Sequence, residues 1–338
     1  MVFTAKYNSL QERCFWAMLL VLVVASVARS QVSRPGDANS PTEVRVRMLI
    51  TDVDAINSAE QSFTVNLWVE GRWNDSRLEH TGKGKMTREL HDVWNPRLQF
   101  VNQQKIWPTL PELVEVYPNG EVVYLQRIWG PFSQPLNLHD FPFDDHEFSI
   151  ILVAAAYSPD EVRIIANPVL PSALGSEFSV ADWDITGWKA EGGVYKPLEE
   201  GSGAPAFILT FQADRNVGYF ILKVILPLLF IVCMSWTVFW IDPMESGTQI
   251  SIAITSMLTL IAYRFMVGSL LPNVSYLTRI DIFVLGSTAL VFATLVEVVV
   301  TSRLAHREKL ALARLIDLLS RFIFAAAYAV VIAAAFFY

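Results

Sequence analysis

Two periodicities divide this chain. From residue 44 to residue 215, apolar and polar positions alternate in short runs, the two-residue period of strands with one buried face. Val44-Arg-Val-Arg-Met-Leu-Ile50 and Phe63-Thr-Val-Asn-Leu-Trp-Val69 alternate in this way, and further short runs lie at 147–153, 162–166, 182–189 and 206–212. Tyr117-Pro-Asn-Gly-Glu-Val-Val-Tyr124 carries an Asn-Gly pair, whose tolerance of positive φ favours a tight hairpin turn. No amphipathic helical run separates these segments, so the pattern predicts an all-β sandwich. From Tyr219 onward the pattern becomes nearly continuous apolar sequence in four stretches, 219–241, 248–271, 280–301 and 315–338. Each is near the roughly 20 residues that a membrane-crossing helix needs.

The second stretch is the most informative. Ser251, Thr255, Leu258, Ala262, Phe265 and Ser269 follow one another by alternate steps of four and three, so they share one stripe of a helix. A lone helix gains nothing by showing hydroxyls to lipid. A ring of helices could turn the stripe inward, where Ser251 and Thr255 face water and Leu258, Ala262 and Phe265 make a dry constriction that stops ions by dewetting. The alternative is helix packing, because small and hydroxyl residues are also favoured where membrane helices touch. Glu245, just before the stripe, could set a ring of carboxylates that attracts cations, or be an exposed loop charge. Arg264, next to Phe265, would repel cations if it faced the lumen and is expected to face a gap between helices or to reach toward the outer interface. Lys223 and Glu297 are likewise costly in lipid and are expected to snorkel or to be paired. Pro227 is expected to bend the first span.

Composition agrees with a membrane protein. Of 338 residues 53% are hydrophobic, too many for an ordinary soluble chain, and the excess lies in the last third. The net charge of −7 comes with no basic patch suited to a nucleic acid. The two cysteines, Cys14 and Cys233, cannot build a disulfide framework. The histidines show no metal-ligand spacing, no glycine-rich phosphate loop or nucleophile elbow is present, and the reading is of a non-enzyme without cofactor or metal. His139 and His146 could sense pH or be ordinary surface residues. At the N-terminus Lys6 and Arg13 precede the apolar run 14–27 and small residues around Ala28, which reads as a secretory signal peptide over 1–30 or as an uncleaved anchor. Export of the β region sends the first span in from outside and places the third connection in the cytoplasm. That connection holds Arg303, His306, Arg307, Lys309 and Arg314, the richest positive cluster near the spans, as the positive-inside rule requires.

Several ordered motifs then resemble those of a known family. Phe141-Pro-Phe-Asp144 lies within Leu138-His-Asp-Phe-Pro-Phe-Asp-Asp-His146. Around it in order stand Trp68, Trp73 with Asp75, Trp94-Asn-Pro96, Arg215-Asn-Val-Gly-Tyr-Phe220, Glu245-Ser-Gly247, and Leu271-Pro272 followed by Tyr276 and Thr278. Together they resemble the prokaryotic pentameric ligand-gated ion channels of the Cys-loop receptor superfamily. The cysteines that bracket this loop in animal receptors are replaced here by Gln134 and Phe148. The resemblance implies an immunoglobulin-like extracellular ligand-binding sandwich over 44–214 after a flexible leader at 31–43. A four-helix transmembrane pore domain over 215–338 follows, and five identical copies surround a central pore. It further implies a multi-pass protein of the cell inner (plasma) membrane that passes monovalent cations in response to a small-molecule agonist or to protons.

From the same resemblance come two groups of residues. Trp68, Trp129, Tyr157 and Tyr195 are expected around an agonist between subunits. Asp54 in the first hairpin, Phe141, Pro142, Phe143 and Asp144, Arg215, and Pro272 are expected at the boundary between domains, with Asp54, Asp144 and Arg215 in one ion-pair cluster. The runner-up reading is a membrane-anchored β-domain sensor or solute binder. A transporter is disfavoured, since the spans show no paired broken helices.

Overall fold

The computed structural model describes residues 32–37, 39–198, 201–268 and 274–337. The expected signal segment, Ser269 and Pro272 lie outside the described residues.

Alternation in the β region produces two sheets that bury their apolar faces on each other. The long strands of the first are β1 (Thr42–Asn57), β2 (Ser62–Asn74) and β7 (Glu121–Ser133). Its path runs β10-β1-β2-β7-β6-β3, with β3 at Met86–Glu89, β6 at Leu113–Val116 and β10 at Ala173–Leu174. Strand β5 (Trp107–Pro108) pairs β7, and β9 (Val162–Ala166) runs parallel to β1. The second sheet follows the order β11-β12-β8-β4, from β4 (Leu98–Phe100), β8 (Asp145–Ala154), β11 (Trp183–Tyr195) and β12 (Ala204–Arg215). Val46, Met48 and Ile50 of β1 point inward at every second position, as the sequence predicts, and meet Ile150, Leu152 and Leu209 of the other sheet in one core. Phe63, Phe132, Phe148 and Phe211 interlock at the membrane-proximal part of that core with ring centroids 5.2–5.7 Å apart. Burial of one such ring contributes on the order of 1.5–3 kcal/mol. The Asn119-Gly120 turn forms between β6 and β7, with Gly120 at φ +76° and backed so closely by the Asp75 carbonyl that a Cβ would sit 2.7 Å from it.

Among the described residues, four helices are long and apolar enough to cross a membrane: α1 (Gly218–Trp240), α2 (Ser246–Gly268), α3 (Arg279–His306) and α4 (Leu310–Phe336). Helix α1 is not a regular α-helix. Pro227 cannot donate to the turn before it, and the chain widens into a π-helical turn over Ile221–Ile225 ahead of the proline. The Tyr263 hydroxyl of α2 donates to the Val224 carbonyl inside this turn. Thr278 caps α3: its hydroxyl accepts from the Asp281 N–H, while the Asp281 carboxylate accepts from the Thr278 N–H, a reciprocal capping box. Arg303 and His306 belong to the last turn of α3 and Arg314 to the second turn of α4, so the basic cluster sits mostly on helix ends, where it also complements the C-terminal dipole of α3.

At Gly286 helix α3 lies so close to α4 that a Cβ would stand 2.6 Å from Val331 Cγ1. Gly286→Ala is therefore expected to lower stability by about 1–3 kcal/mol through overpacking. The Gly286→Ala/Val331→Ala pair should recover most of the loss, as read from thermal unfolding of the purified protein.

Candidate functional site

Helix α2 has two unlike faces. Gln249, Ala253, Ser256, Leu260, Tyr263 and Val267 are buried within the bundle. Ser251, Thr255, Leu258, Ala262 and Phe265 form the opposite face and are all exposed in the single chain, Leu258 at 61% and Phe265 at 80%. The hydroxyls of Ser251 and Thr255 donate back to the carbonyls of Gly247 and Ser251 at 2.8 and 2.7 Å. Their protons are thus held by the helix, and the oxygen lone pairs are left for a cation or water. Arg264 is exposed on the flank between the stripe and the buried face. Glu245 is exposed at the end of the Pro243–Glu245 turn that leads into α2, beside Asp242, which is bridged at 2.6 Å to Arg314 of α4.

The junction between sandwich and bundle is organised by Arg215, the last residue of β12. Its guanidinium grips Asp144 with two bonds, Nε to Oδ1 at 2.8 Å and a terminal nitrogen to Oδ2 at 2.9 Å. Both side chains are almost fully buried, at 3% and 2% exposure. The same terminal nitrogen donates to Ser58 Oγ at 2.8 Å, and the guanidinium Cζ lies 4.1 Å from the ring centre of Trp183 and 4.7 Å from that of Phe141. His146 Nε2 stands 2.7 Å from Asp144 Oδ2. Burial alone would push the Asp144 carboxyl up, but hydrogen bonds from His146 and Arg215 and the charge of Arg215 outweigh it and hold the group down at about 2.

One expected member is absent from this cluster. Asp54 accepts from the Trp129 indole instead of meeting Arg215. The cause is irregular register: β1 slips against β2 between Ile50 and Asp52 and again between Val53 and Ala55, so the alternation shifts by one after Ile50, Val53 faces the core and Asp54 faces the outer side of the sheet. Burial raises the Asp54 carboxyl above its ordinary value, against the lowering by the Trp129 bond and with further help from the charge of Asp52. Ser58, at the tip of the same hairpin, takes the place expected of Asp54. Sequence reasoning also missed Trp183 and passed over His146 as a partner of Asp144.

The loop 136–144 docks on the bundle by several specific contacts. Phe141 meets Phe220 of α1 at 4.9 Å and Phe143 meets Phe336 of α4 at 5.5 Å. Asp140 is bridged to Arg279 at the start of α3 at 2.6 Å, and the N–H groups of Arg279 and Ile280 donate to the carbonyls of His139 and Phe141. The Tyr276 hydroxyl accepts from the Leu138 N–H at 2.8 Å, and the His139 ring stacks on Tyr276 at 4.0 Å. The peptide bond before Pro142 is cis. The loop, the β1–β2 tip, the end of β12 and the starts of α1 and α3 thus form one continuous contact.

The four expected aromatic residues divide between the two sheets. Trp68 (β2) and Trp129 (β7) share the outer face of the first sheet, because Asn66 pairs with Trp129 and Trp68 with Arg127 directly across the ladder. Arg127 lies 5.5 Å over the Trp68 ring, and Trp107 stacks at 5.4 Å beside the half-exposed Trp129. Tyr195 ends β11 and is half-buried. Tyr157 follows β8 and is turned to the core, its hydroxyl accepting from Trp94 at 2.8 Å. No single chain gathers all four.

A β-sandwich ending on four apolar helices, with a loop of this kind docked between them, defines a class, and comparison with known proteins gives the same one. Residues 28–197 match the neurotransmitter-gated ion-channel ligand binding domain, and residues 224–313 match the neurotransmitter-gated ion-channel transmembrane region. The chain belongs to the neurotransmitter-gated ion-channel family and is a multi-pass membrane protein; the family is one of ligand-gated channels, not enzymes. Among its relatives, a gamma-aminobutyric acid receptor subunit beta of Lymnaea stagnalis is 26% identical over 284 residues, covering 78% of this chain and 56% of its own length. A gamma-aminobutyric acid receptor subunit beta of Caenorhabditis elegans is 27% identical over 280 residues, covering 78% of this chain and 50% of its own. The chain spans about half the length of these curated relatives.

Proposed function

We propose that this chain is the subunit of a homopentameric ligand-gated ion channel of a cell inner (plasma) membrane. The observation that carries the reading is the division of α2 into a packed face and a bare one, on which hydroxyl and apolar residues follow one another along the helix. Five copies would close the bare faces around water. Ser251 and Thr255 then line the inner half, and Leu258, Ala262 and Phe265 form the barrier. The exposed carboxylate of Glu245 gives the inner mouth a negative ring, so the permeant ions are monovalent cations. The names of the relatives speak to an agonist, not to the permeant ion.

The agonist binds between copies. Tyr195 comes from one copy, and Trp68 and Trp129 come from the outer sheet face of the next. Arg127 over Trp68 offers a guanidinium fork on this face, suited to a carboxylate. Together with the relatives named as gamma-aminobutyric acid receptors, this favours a small amino-acid-like agonist with an anionic end. The agonist works by preferring the open state, and the junction around Arg215 transmits that preference to α1 and α3.

Purified protein in planar bilayers tests the reading. Unitary currents are expected on addition of amino acids including gamma-aminobutyric acid. In asymmetric salt the reversal potential should lie toward that of the cation, and Glu245→Gln should move it toward zero. Silence across an agonist and pH screen would remove the channel reading, and a reversal potential toward the anion would remove Glu245 as the selector. Arg127→Ala is expected to raise the half-maximal agonist concentration by roughly tenfold or more, as loss of one charge-assisted bond of about 1.5–3 kcal/mol implies.

A further inference from the structure

The inner half of the bundle holds polar atoms that the pore reading does not use. Glu297 of α3 and Asp317 of α4 face each other within hydrogen-bonding reach. Ser320, one turn beyond Asp317, donates to Glu297 Oε1 at 3.3 Å. One oxygen of each carboxyl, Glu297 Oε2 and Asp317 Oδ1, is buried without a hydrogen-bond donor. Asp317 is only 3% exposed, and no salt bridge reaches either group among the described residues. A third helix closes the site. Gln249, in the first turn of α2 and 1% exposed, brings its amide nitrogen within 3.5 Å of Asp317 Oδ2. That nitrogen also donates to the carbonyls of Val238 and Ile241 at 3.2 and 2.9 Å, which fixes the amide's orientation and leaves Gln249 Oε1 buried and unpartnered.

The surrounding charges do not neutralise the pair. Arg321, the next cation along α4, donates to the Phe239 carbonyl at 3.0 Å and lies over the Trp240 ring. Asp242, between α1 and α2, adds further negative charge and is itself bridged to Arg314. Two carboxylates cannot bond each other, since both only accept; a carboxylic acid and a carboxylate can.

We infer that Glu297 and Asp317 form a binding site for a single proton, shared between α3 and α4 and sensed at the foot of α2 through Gln249. With the proton present, one carboxyl donates to the other and the two orphaned oxygens become a hydrogen bond. When the proton leaves to water, two carboxylates confront each other at close range, α3 and α4 are pushed apart at that level, and the contact of Gln249 with Asp317 is lost. The site is therefore a pH-sensitive clasp at the base of the bundle, and it exists whether or not the α2 stripe conducts.

Infrared spectroscopy of the purified full-length protein in lipid bilayers reads this without any channel assay. A protonated-carboxyl C=O band is expected at neutral pH. It should be lost in both Glu297→Gln and Asp317→Asn, because either change removes the shared acid. In the wild type the band should disappear on alkaline titration, and the melting temperature should fall with it. In Glu297→Gln the amide donates permanently, so that fall should be absent. If either variant fails to fold, heavy-carbon labelling of the aspartate and glutamate carboxyls assigns the band in the wild type. A wild type without such a band at any pH where it is folded would overturn the inference. So would a melting temperature that follows sodium or calcium concentration and ignores pH.

Discussion

Arg215→Ala is expected to cost about 3–5 kcal/mol of stability and to uncouple agonist binding from opening. The stability loss follows from what remains. Asp144, only 2% exposed in the wild type, would lose two charge-assisted bonds and retain only His146 as a side-chain partner. A buried carboxylate without its guanidinium pays nearly its full desolvation penalty, and a domain's total stability is only about 5–15 kcal/mol. Arg215→Lys should lose less, because the charge stays while the bidentate geometry and the stacking on Trp183 and Phe141 go.

The same pair sets a pH dependence. The folded state holds Asp144 at about 2 against an ordinary 3.8. Its contribution is therefore fully present above 3.8 and is lost as pH falls from there through about 2. That part of the acid-unfolding curve should flatten in Arg215→Ala. Thermal and acid unfolding of the purified protein check both claims, and a variant within about 1 kcal/mol of the wild type would mean that the pair is solvated in the native state. For function, agonist should still bind at the sandwich and evoke little current. An unchanged response would move transmission elsewhere in the junction.

Leu258→Ser is expected to raise resting current and to sensitise the channel to agonist. In one chain Leu258 is 61% exposed on the face that five copies would share. A hydroxyl at the narrowest apolar level gives water a partner and weakens the dewetting barrier. The effect is multiplied by symmetry. To go from about 1% to 99% open, an agonist must supply roughly 5.5 kcal/mol of preference, or about 1.1 kcal/mol at each of five sites. If each serine favours the open state by only about 0.3 kcal/mol, the ring of five contributes about 1.5 kcal/mol, slightly more than a tenfold shift in the open–closed equilibrium. Resting current and half-maximal agonist concentration, measured under voltage clamp, read this directly. No change in either would exclude Leu258 as the gate.

Much of the fold was legible because its signals are local. The alternation of Val44, Val46, Met48 and Ile50 sets the inner face of β1 without reference to any other strand, and Asn119-Gly120 sets its own turn. The stripe on α2 is legible for the same reason, since helical spacing alone puts Ser251 and Phe265 on one face. What resisted reading depends on a distant partner or on one inserted residue. A bulge in β1 sends Asp54 toward Trp129, because a shift of one residue exchanges the two faces of a strand. Ser58 and Arg215 meet across 157 residues of sequence, and nothing near either announces the other. Tyr157 looks the same in sequence whether it walls a ligand or, as here, bonds Trp94 in the core. The Glu297, Asp317 and Gln249 group spans three helices. Each residue alone reads as a costly polar group in an apolar segment, and only packing brings them together.

The central claim is that the bare face of α2 surrounds water. Single cysteines at positions 251, 255, 258, 262 and 265, in a background where Cys14 and the half-buried Cys233 are both replaced by serine, allow the most direct test. Membrane-impermeant thiol reagents should modify them from the aqueous side, with agonist increasing the rate at the levels beyond Leu258, while cysteines at the buried positions 253, 256 and 260 stay inert. If none of the five reacts in any functional state, or if the buried positions react as readily, the face lies against lipid or protein and the channel account fails.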